Sequence, residues 1–453
     1  MPLDVVMLMP RRFISNRSLP ATFVARLTSD QTQLEHVQLT SSAMESIMYD
    51  VRRFRHLRTL DVQVLQAREL ADALYAAVSF SDTLERLSLG VMTMSSPDTF
   101  ASMSSWFRRR TPCRSQAYHL PKLKELGLRN VDLKNSCVIL SELTDLHALT
   151  SLNLSQCKGF EQFFSQLALE ANDKRFKLTE MAFNTLMEEH PLERFETSSF
   201  ESVLFACDAL QSLHFAWSES CDISSWVVRT IENIGDSLQS LSLHCDIDFS
   251  PYPPLCESEF EAVCVACPNL QQLGYRLEDG VLSESRPDYT STPHFMVCTS
   301  NEVKRNADWR QECMQYLPDL RTLHLREPNN PGHDPGIPGL DFTNPSAASR
   351  NYQQFASAFF IYLHSRNWCP KLQALVIGEL STNKKATEPQ SYCYVPQHCF
   401  VRGFQKDAAN RTVTVGVAVT REELMRIEPI SDILGFDVNC DWVGGLSGRF
   451  HDL

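Results

Sequence analysis

LTSLNLSQC, Leu149 to Cys157, is the stretch from which the fold is read. It runs Leu-x-x-Leu-x-Leu-x-x-Cys, with Leu149, Leu152, Leu154 and Cys157 as its apolar positions. The frame returns as LRTLDV at Leu57, LERLSL at Leu84, LKELGL at Leu123, LQSLSL at Leu238 and LRTLHL at Leu320. Looser copies are LEHVQL at Leu34, LTEMAF at Leu178, LQSLHF at Leu210, LQQLGY at Leu270 and LQALVI at Leu372, making eleven between Leu34 and Ile377. The last two apolar residues of each copy are two apart and so share one face of a strand. One such unit is too small to bury that face. Stacked units bury a continuous apolar column, which is the solenoid solution. The expectation is an α/β horseshoe solenoid, with a parallel β-sheet on its concave side and helices outside.

The spacing supports helices between the strands. Copies from Leu34 to Leu178 start 23, 27, 39, 26 and 29 residues apart. The next three intervals are 32, 28 and 32. A strand and turn use about ten residues, and the remainder fits a helix. Leu70, Leu74, Ala77 and Val78 fall on one face of the clearest candidate, Leu65 to Phe80. Others are expected at Ser198 to Cys207, Ile223 to Ile234, Glu257 to Ala266 and Asn351 to Ser365. The returns CPNL, LPDL and CPKL place a proline just before the strand, which stops the helix and favours an extended residue ahead of it. Their cysteines read as small buried apolar residues.

Two longer intervals, 50 and 52 residues, follow Leu270 and Leu320. Arg326 to Ser346, rich in Pro, Gly and Asn, reads as a loop, either functional or an insertion tolerated at the rim. Arg108, Arg109 and Arg110 form a basic triplet that fits a solvated helix end. Residues 1–33 read as an N-terminal cap, in which Met1 to Leu8 is a short helix or strand and Ser18 to Leu27 a helix. Residues 34–381 are the solenoid and 382–453 a C-terminal cap. In the last, Asp407 to Arg411 reads as a turn, followed by a strand with Val413, Val415, Val417 and Val419 on one face. Thr420 then caps a short helix, with Glu423 at the capping-box position.

A net charge of −13 on 453 residues argues against duplex nucleic acid or an anionic membrane as the main partner. No apolar run approaches the ~18 residues of a bilayer span. The N-terminus lacks the layout of a signal peptide, and the 15 cysteines show no framework spacing. The expected setting is cytoplasmic or nuclear, with reduced thiols.

The CPxLxxLxL strands with variable helical connectors resemble the ribonuclease-inhibitor-like leucine-rich repeats of F-box/LRR proteins, in particular the filamentous-fungal set. Cys399 to Gly444 is similar to the segment that ends those repeats. The resemblance implies a protein-binding scaffold that acts as a ubiquitin-ligase substrate receptor. MPLDVVML is faintly like the opening of an F-box, but nothing after it matches, so the F-box is expected to be missing or reduced and Skp1 and cullin binding weak or absent. An enzyme or GTPase-activator role through the concave edge is the alternative.

No phosphate loop, nucleophile elbow or zinc-protease motif is present, and no catalytic residue, cofactor or metal is assigned. Cys264 and Cys267 form a CxxC without a second pair, and Cys393, His398 and Cys399 are three candidate ligands on an expected loop. The candidate site is therefore on the sheet. Residues between and beside the last two apolar positions point away from the leucine column. In the later copies they place His244, Arg276 and Arg326 on one row and His214 and His324 on another. This cationic groove would receive an acidic or phosphorylated protein segment, the arginines offering paired donors to carboxylate or phosphate.

Overall fold

The computed structural model describes residues 7–9, 12–15, 34–40, 55–64, 77, 82–91, 101–102, 119–134, 136–155, 157–171, 174–184, 197–218, 224–246, 255–276, 312–326, 345–377 and 398–427. The fold is α/β. The chain divides into two compact units, Met1–Leu210 and Gln211–Leu453.

In the first unit, β1 (Met7–Met9) and β2 (Arg12–Ser15) form an antiparallel hairpin. Parallel strands follow: β3 (His36–Thr40), β4 (Thr59–Val64), β5 (Arg86–Val91), β7 (Glu125–Arg129), β9 (Ser151–Ser155) and β10 (Glu180–Asn184). A two-stranded side sheet pairs β6 (Ala101–Ser102) with β8 (Val131–Asp132). The helices are α1 (Ser136–Leu143), α2 (Phe160–Ala171) and α3 (Thr197–Phe205).

In the second unit, β11 (Ser212–Ser218), β12 (Ser240–Asp246), β13 (Gln272–Arg276), β14 (Thr322–Arg326) and β15 (Ala374–Ile377) are parallel. β16 (His398–Lys406) and β17 (Thr412–Val419) add to them antiparallel. Between and after these strands come α4 (Ser224–Ile234), α5 (Glu257–Ala266), α6 (Pro345–Arg366) and α7 (Arg421–Ile427).

Each copy of the repeat frame supplies one strand, and the register aligns the copies position by position. Leu60, Leu87, Leu126, Leu152 and Met181 are successive partners, as are Val62, Leu89, Leu128, Leu154 and Phe183. In the second unit Leu213, Leu241, Leu273, Leu323 and Leu375 form the equivalent row. All of these side chains are buried. The first leucine of the frame acts before the strand begins. The residue after it donates its amide to its equivalent one copy earlier: Arg58 to Glu35, Glu85 to Arg58, Lys124 to Glu85, Thr150 to Lys124 and Thr179 to Thr150. Gln239, Gln271, Arg321 and Gln373 repeat the pattern in the second unit. The copies are thus locked in register ahead of the strands as well as along them.

The helices pack on the leucine side. Phe183 of β10 meets Phe160 and Phe164 of α2 and Phe200 of α3, with ring centroids 4.3, 5.2 and 5.1 Å away. Phe215 meets Trp226 of α4, and Tyr275 meets Phe260 of α5. Offset and edge-on contacts of this kind add to the area that the rings bury.

The expected helices at 198–207, 223–234 and 257–266 are present within two residues at each end. α6 begins earlier than expected, at Pro345, because proline fits the first helical turn, where its missing N–H has no helical partner to lose. Of Met1 to Leu8, read as helix or strand, the described residues Met7 and Leu8 are in strand β1. The candidate helices at Ser18 to Leu27 and Leu65 to Phe80 lie outside the described residues, Ala77 excepted, and so do Arg108 to Arg110.

The C-terminal elements follow the expected order of turn, strand and capped helix. The Asp407 side chain accepts from the amides of Ala409 and Arg411 to close the turn. The Thr420 amide donates to Glu423 Oε2, and the Glu423 amide donates to Thr420 Oγ1, which is a capping box. Thr420→Ala should lower stability by about 1 kcal/mol, read as a lower thermal midpoint. The valines of β17 are not its buried side. Thr414 and Gly416 are buried, and a Cβ at Gly416 would lie 2.8 Å from the Ala356 Cβ of α6. The helix sits that close because the glycine has no side chain. Among the described residues, no helix is long and apolar enough to cross a membrane.

Candidate functional site

Strand alternation sets one row of side chains on the face opposite the helices, between the two leucine rows. In the second unit this middle row reads His214, Ser242, Gly274, His324 and Val376 across β11 to β15. The row one step further along the strands holds Ala216 beside His244 and Arg276 beside Arg326. His244 and Arg276 follow directly on the paired residues Leu243 and Tyr275. The backbone therefore brings His244, Arg276 and Arg326 onto one row, and His214 and His324 onto another, as the spacing implied.

The middle row is more enclosed than a solvated sheet face. His214 and His324 are buried, and so are Ser242, Thr322 and Ser240. His214 Nε2 lies 2.9 Å from Ser212 Oγ, two residues back on the same strand face. Ser240 Oγ donates to Gln272 Oε1 across to the next strand. Gly274 leaves space that Ser242 fills, since a Cβ at Gly274 would lie 2.8 Å from Ser242 Oγ. Ser242 Oγ and Thr322 Oγ1 are buried without a hydrogen-bond partner among the described residues. Buried hydroxyls of this kind are costly unless something else meets them. The middle row thus holds two imidazoles and the Ser242 hydroxyl, with the Thr322 hydroxyl on the adjoining row. His214 and His324 are three strands apart, about 14 Å at the usual strand spacing, so they cannot share an ion.

In the first unit the equivalent row reads Ile14, Gln38, Asp61, Ser88, Gly127, Asn153 and Ala182. Asp61 is fully buried, and neither carboxylate oxygen has a hydrogen-bond partner among the described residues. Burial pushes its carboxyl up to about 8, against a smaller downward pull from the Arg86 guanidinium. The sequence shows that Asp61 stands on this face, in LRTLDV. It does not show the burial.

Among the described residues, every thiol but that of Cys256 is buried. Cys137, Cys157, Cys207, Cys264, Cys267 and Cys369 form no disulfide, and Cys313 and Cys399 are buried as well. Burial pushes Cys157, Cys207, Cys267 and Cys369 up to about 12, far from the thiolate that a nucleophile or ligand requires. Cys264 and Cys267 are at the end of α5, where the Cys267 amide donates to the Cys264 carbonyl. Among the described residues no group of three or more His, Cys, Asp or Glu is arranged to hold a metal. His398 and Cys399, expected on a loop, are in strand β16, and His398 stacks on Tyr352 of α6. Cys393 and most of the Arg326 to Ser346 stretch lie outside the described residues.

The backbone register thus sets rows of polar and basic residues at strand spacing. Comparison with known proteins finds no family model that matches this sequence and no similar curated protein.

Proposed function

We propose that the chain is a protein-binding leucine-rich-repeat scaffold, curved as a horseshoe, with the parallel strands on its concave side and the helices outside. Its role is that of a substrate receptor, as in the F-box/LRR subunits of ubiquitin ligases that the repeats resemble. The partner presents an acidic or phosphorylated segment to the row of His244, Arg276 and Arg326, with the buried His214 and His324 on the adjoining row.

One observation carries this reading: the backbone register that sets Arg276 beside Arg326 on the strand face opposite the helices. The two residues stand on adjacent strands, whose backbones are about 4.8 Å apart, and guanidinium donors suit the paired oxygens of a carboxylate or phosphate. The spare hydroxyls of Ser242 and Thr322 on the neighbouring rows add donors of the same kind.

The test is purification of the intact chain from its native cell extract under mild conditions. A protein that stays bound at equimolar ratio is the expected result. Skp1 and a cullin in the same complex would make the chain a ligase receptor, whereas a partner without them would make it a free scaffold. Acceleration of a GTPase, or turnover of a small molecule, with no retained protein would refute the scaffold reading.

A further inference from the structure

The strand face of the first unit holds a cluster of buried polar atoms without hydrogen-bond partners among the described residues. Asp61, Gln63 and Ser88 are buried side by side on β4 and β5. Asp61 and Ser88 are directly opposite each other, and Gln63 follows Asp61 two residues along the same face. Both carboxylate oxygens of Asp61, the amide nitrogen of Gln63 and the hydroxyl of Ser88 are buried without a hydrogen-bond partner among the described residues. Four such atoms in one patch leave a cluster of unmet acceptors beside an unmet donor, where buried polar groups are normally satisfied.

The charges around Asp61 are already committed. Arg86, diagonal to it on β5, forms an ion pair with Glu125 of β7. On β3, His36 Nδ1 is engaged with Thr59 Oγ1 at 2.9 Å. Arg129 of β7 is two strands from Gln63, beyond Gly90, about 10 Å at the usual spacing. On the β3 side of the patch, the neighbouring His36 and Gln38 are half-buried.

We propose that Asp61, Gln63 and Ser88 form a receptor for an arginine-bearing segment of a partner protein. The guanidinium seats on the two oxygens of Asp61, and a main-chain carbonyl of the same segment accepts from Gln63 Nε2. A planar fork of donors matches two free carboxylate oxygens better than a single ammonium does. A divalent ion is a poorer fit, because one carboxylate supplies too few oxygen ligands for calcium or magnesium. A neutral amide would satisfy Gln63 but leave the acid without a counter-charge. This inference concerns residues other than those of the cationic row, and it stands or falls separately from the function proposed above.

The probe is N-acetyl-arginine-N-methylamide, titrated into the full chain at pH 9, above the value of about 8 at which the Asp61 carboxyl ionises, and followed by calorimetry and by the NMR signal of that carboxyl. The citrulline analogue, of the same shape without charge, is the control. Saturable binding of the arginine probe is expected, with the Asp61 signal shifting at saturation. Asp61→Asn should weaken it by at least about tenfold, since it removes a charge-assisted pair. Gln63→Leu should weaken it less, and Arg276→Glu/Arg326→Glu should leave it unchanged. Each variant is checked for an unaltered circular dichroism spectrum. Absence of saturation, equal binding of the citrulline analogue, or an affinity for folded Asp61→Asn within about twofold of the parent would overturn the proposal.

Discussion

Leu241→Ala should lower the unfolding free energy by about 2–5 kcal/mol, measured by denaturant titration. Leu241 is fully buried, at the centre of the row Leu213, Leu241, Leu273. Truncation removes the transfer free energy of its methyl groups and leaves a cavity beside them. The neighbours cannot close that cavity easily. Strand pairing on both sides fixes the backbone, and the amide steps from Gln239 to Gln211 and from Gln271 to Gln239 hold the copies in register ahead of the strands. Leu169→Ala on α2, a residue 70% exposed, supplies the contrast and should change stability by less than about 0.5 kcal/mol. If the two substitutions cost the same, the leucine rows are not the structural column described here.

Asp61→Asn should remove a pH dependence that the parent carries. The Asp61 carboxyl is raised from its ordinary value of 3.8 to about 8 in the folded chain, chiefly by burial. As pH rises above about 4, the unfolded chain releases this proton while the folded chain keeps it. The folded state therefore binds more protons across this window, and stability falls with rising pH. The contribution is fully favourable below the unfolded value and is lost progressively up to about 8, where the folded group ionises as well. Integrated over the window, the loss is on the order of 5 kcal/mol. Arg86 sets part of this value by opposing the rise, and His36, Glu125 and Arg129 are the other charged or titratable side chains described on the same face. Parent and variant should be nearly equal in stability at pH 4, and the variant the more stable at pH 8. Parallel stability curves for the two proteins across that range would show that Asp61 does not titrate as its burial requires.

The strands were legible because LxxLxL combines a strand period with a repeat spacing, and each copy in the described residues became one strand in the expected register. Helices with clean apolar faces between a stop and a start, such as α5, were legible to the residue. β16 was not. In HCFVRGFQK both faces are apolar at Cys399 to Val401 and both become polar or open beyond, so no alternation marks a strand. Its pairing comes from β15 and β17, which are its neighbours in the sheet. The start of α6 was hidden because Pro345 closes a Pro-, Gly- and Asn-rich stretch that reads as loop throughout. The site divides in the same way. The rows holding His214, His244, Arg276, His324 and Arg326 follow from period and spacing, which are local. The burial of Asp61, His214 and His324 is a property of the folded chain, and no local pattern records it.

The claim that the strand face opposite the helices is the binding surface is tested most directly by two charge swaps. With the protein partner retained in purification, its affinity is measured for Arg276→Glu/Arg326→Glu and for Arg108→Glu/Arg109→Glu. The first pair should weaken binding by at least about tenfold, because it sets like charges against an acidic segment, while the second should leave it within about threefold. Full affinity after the first swap and loss of binding after the second would place the site on a connector and contradict this account.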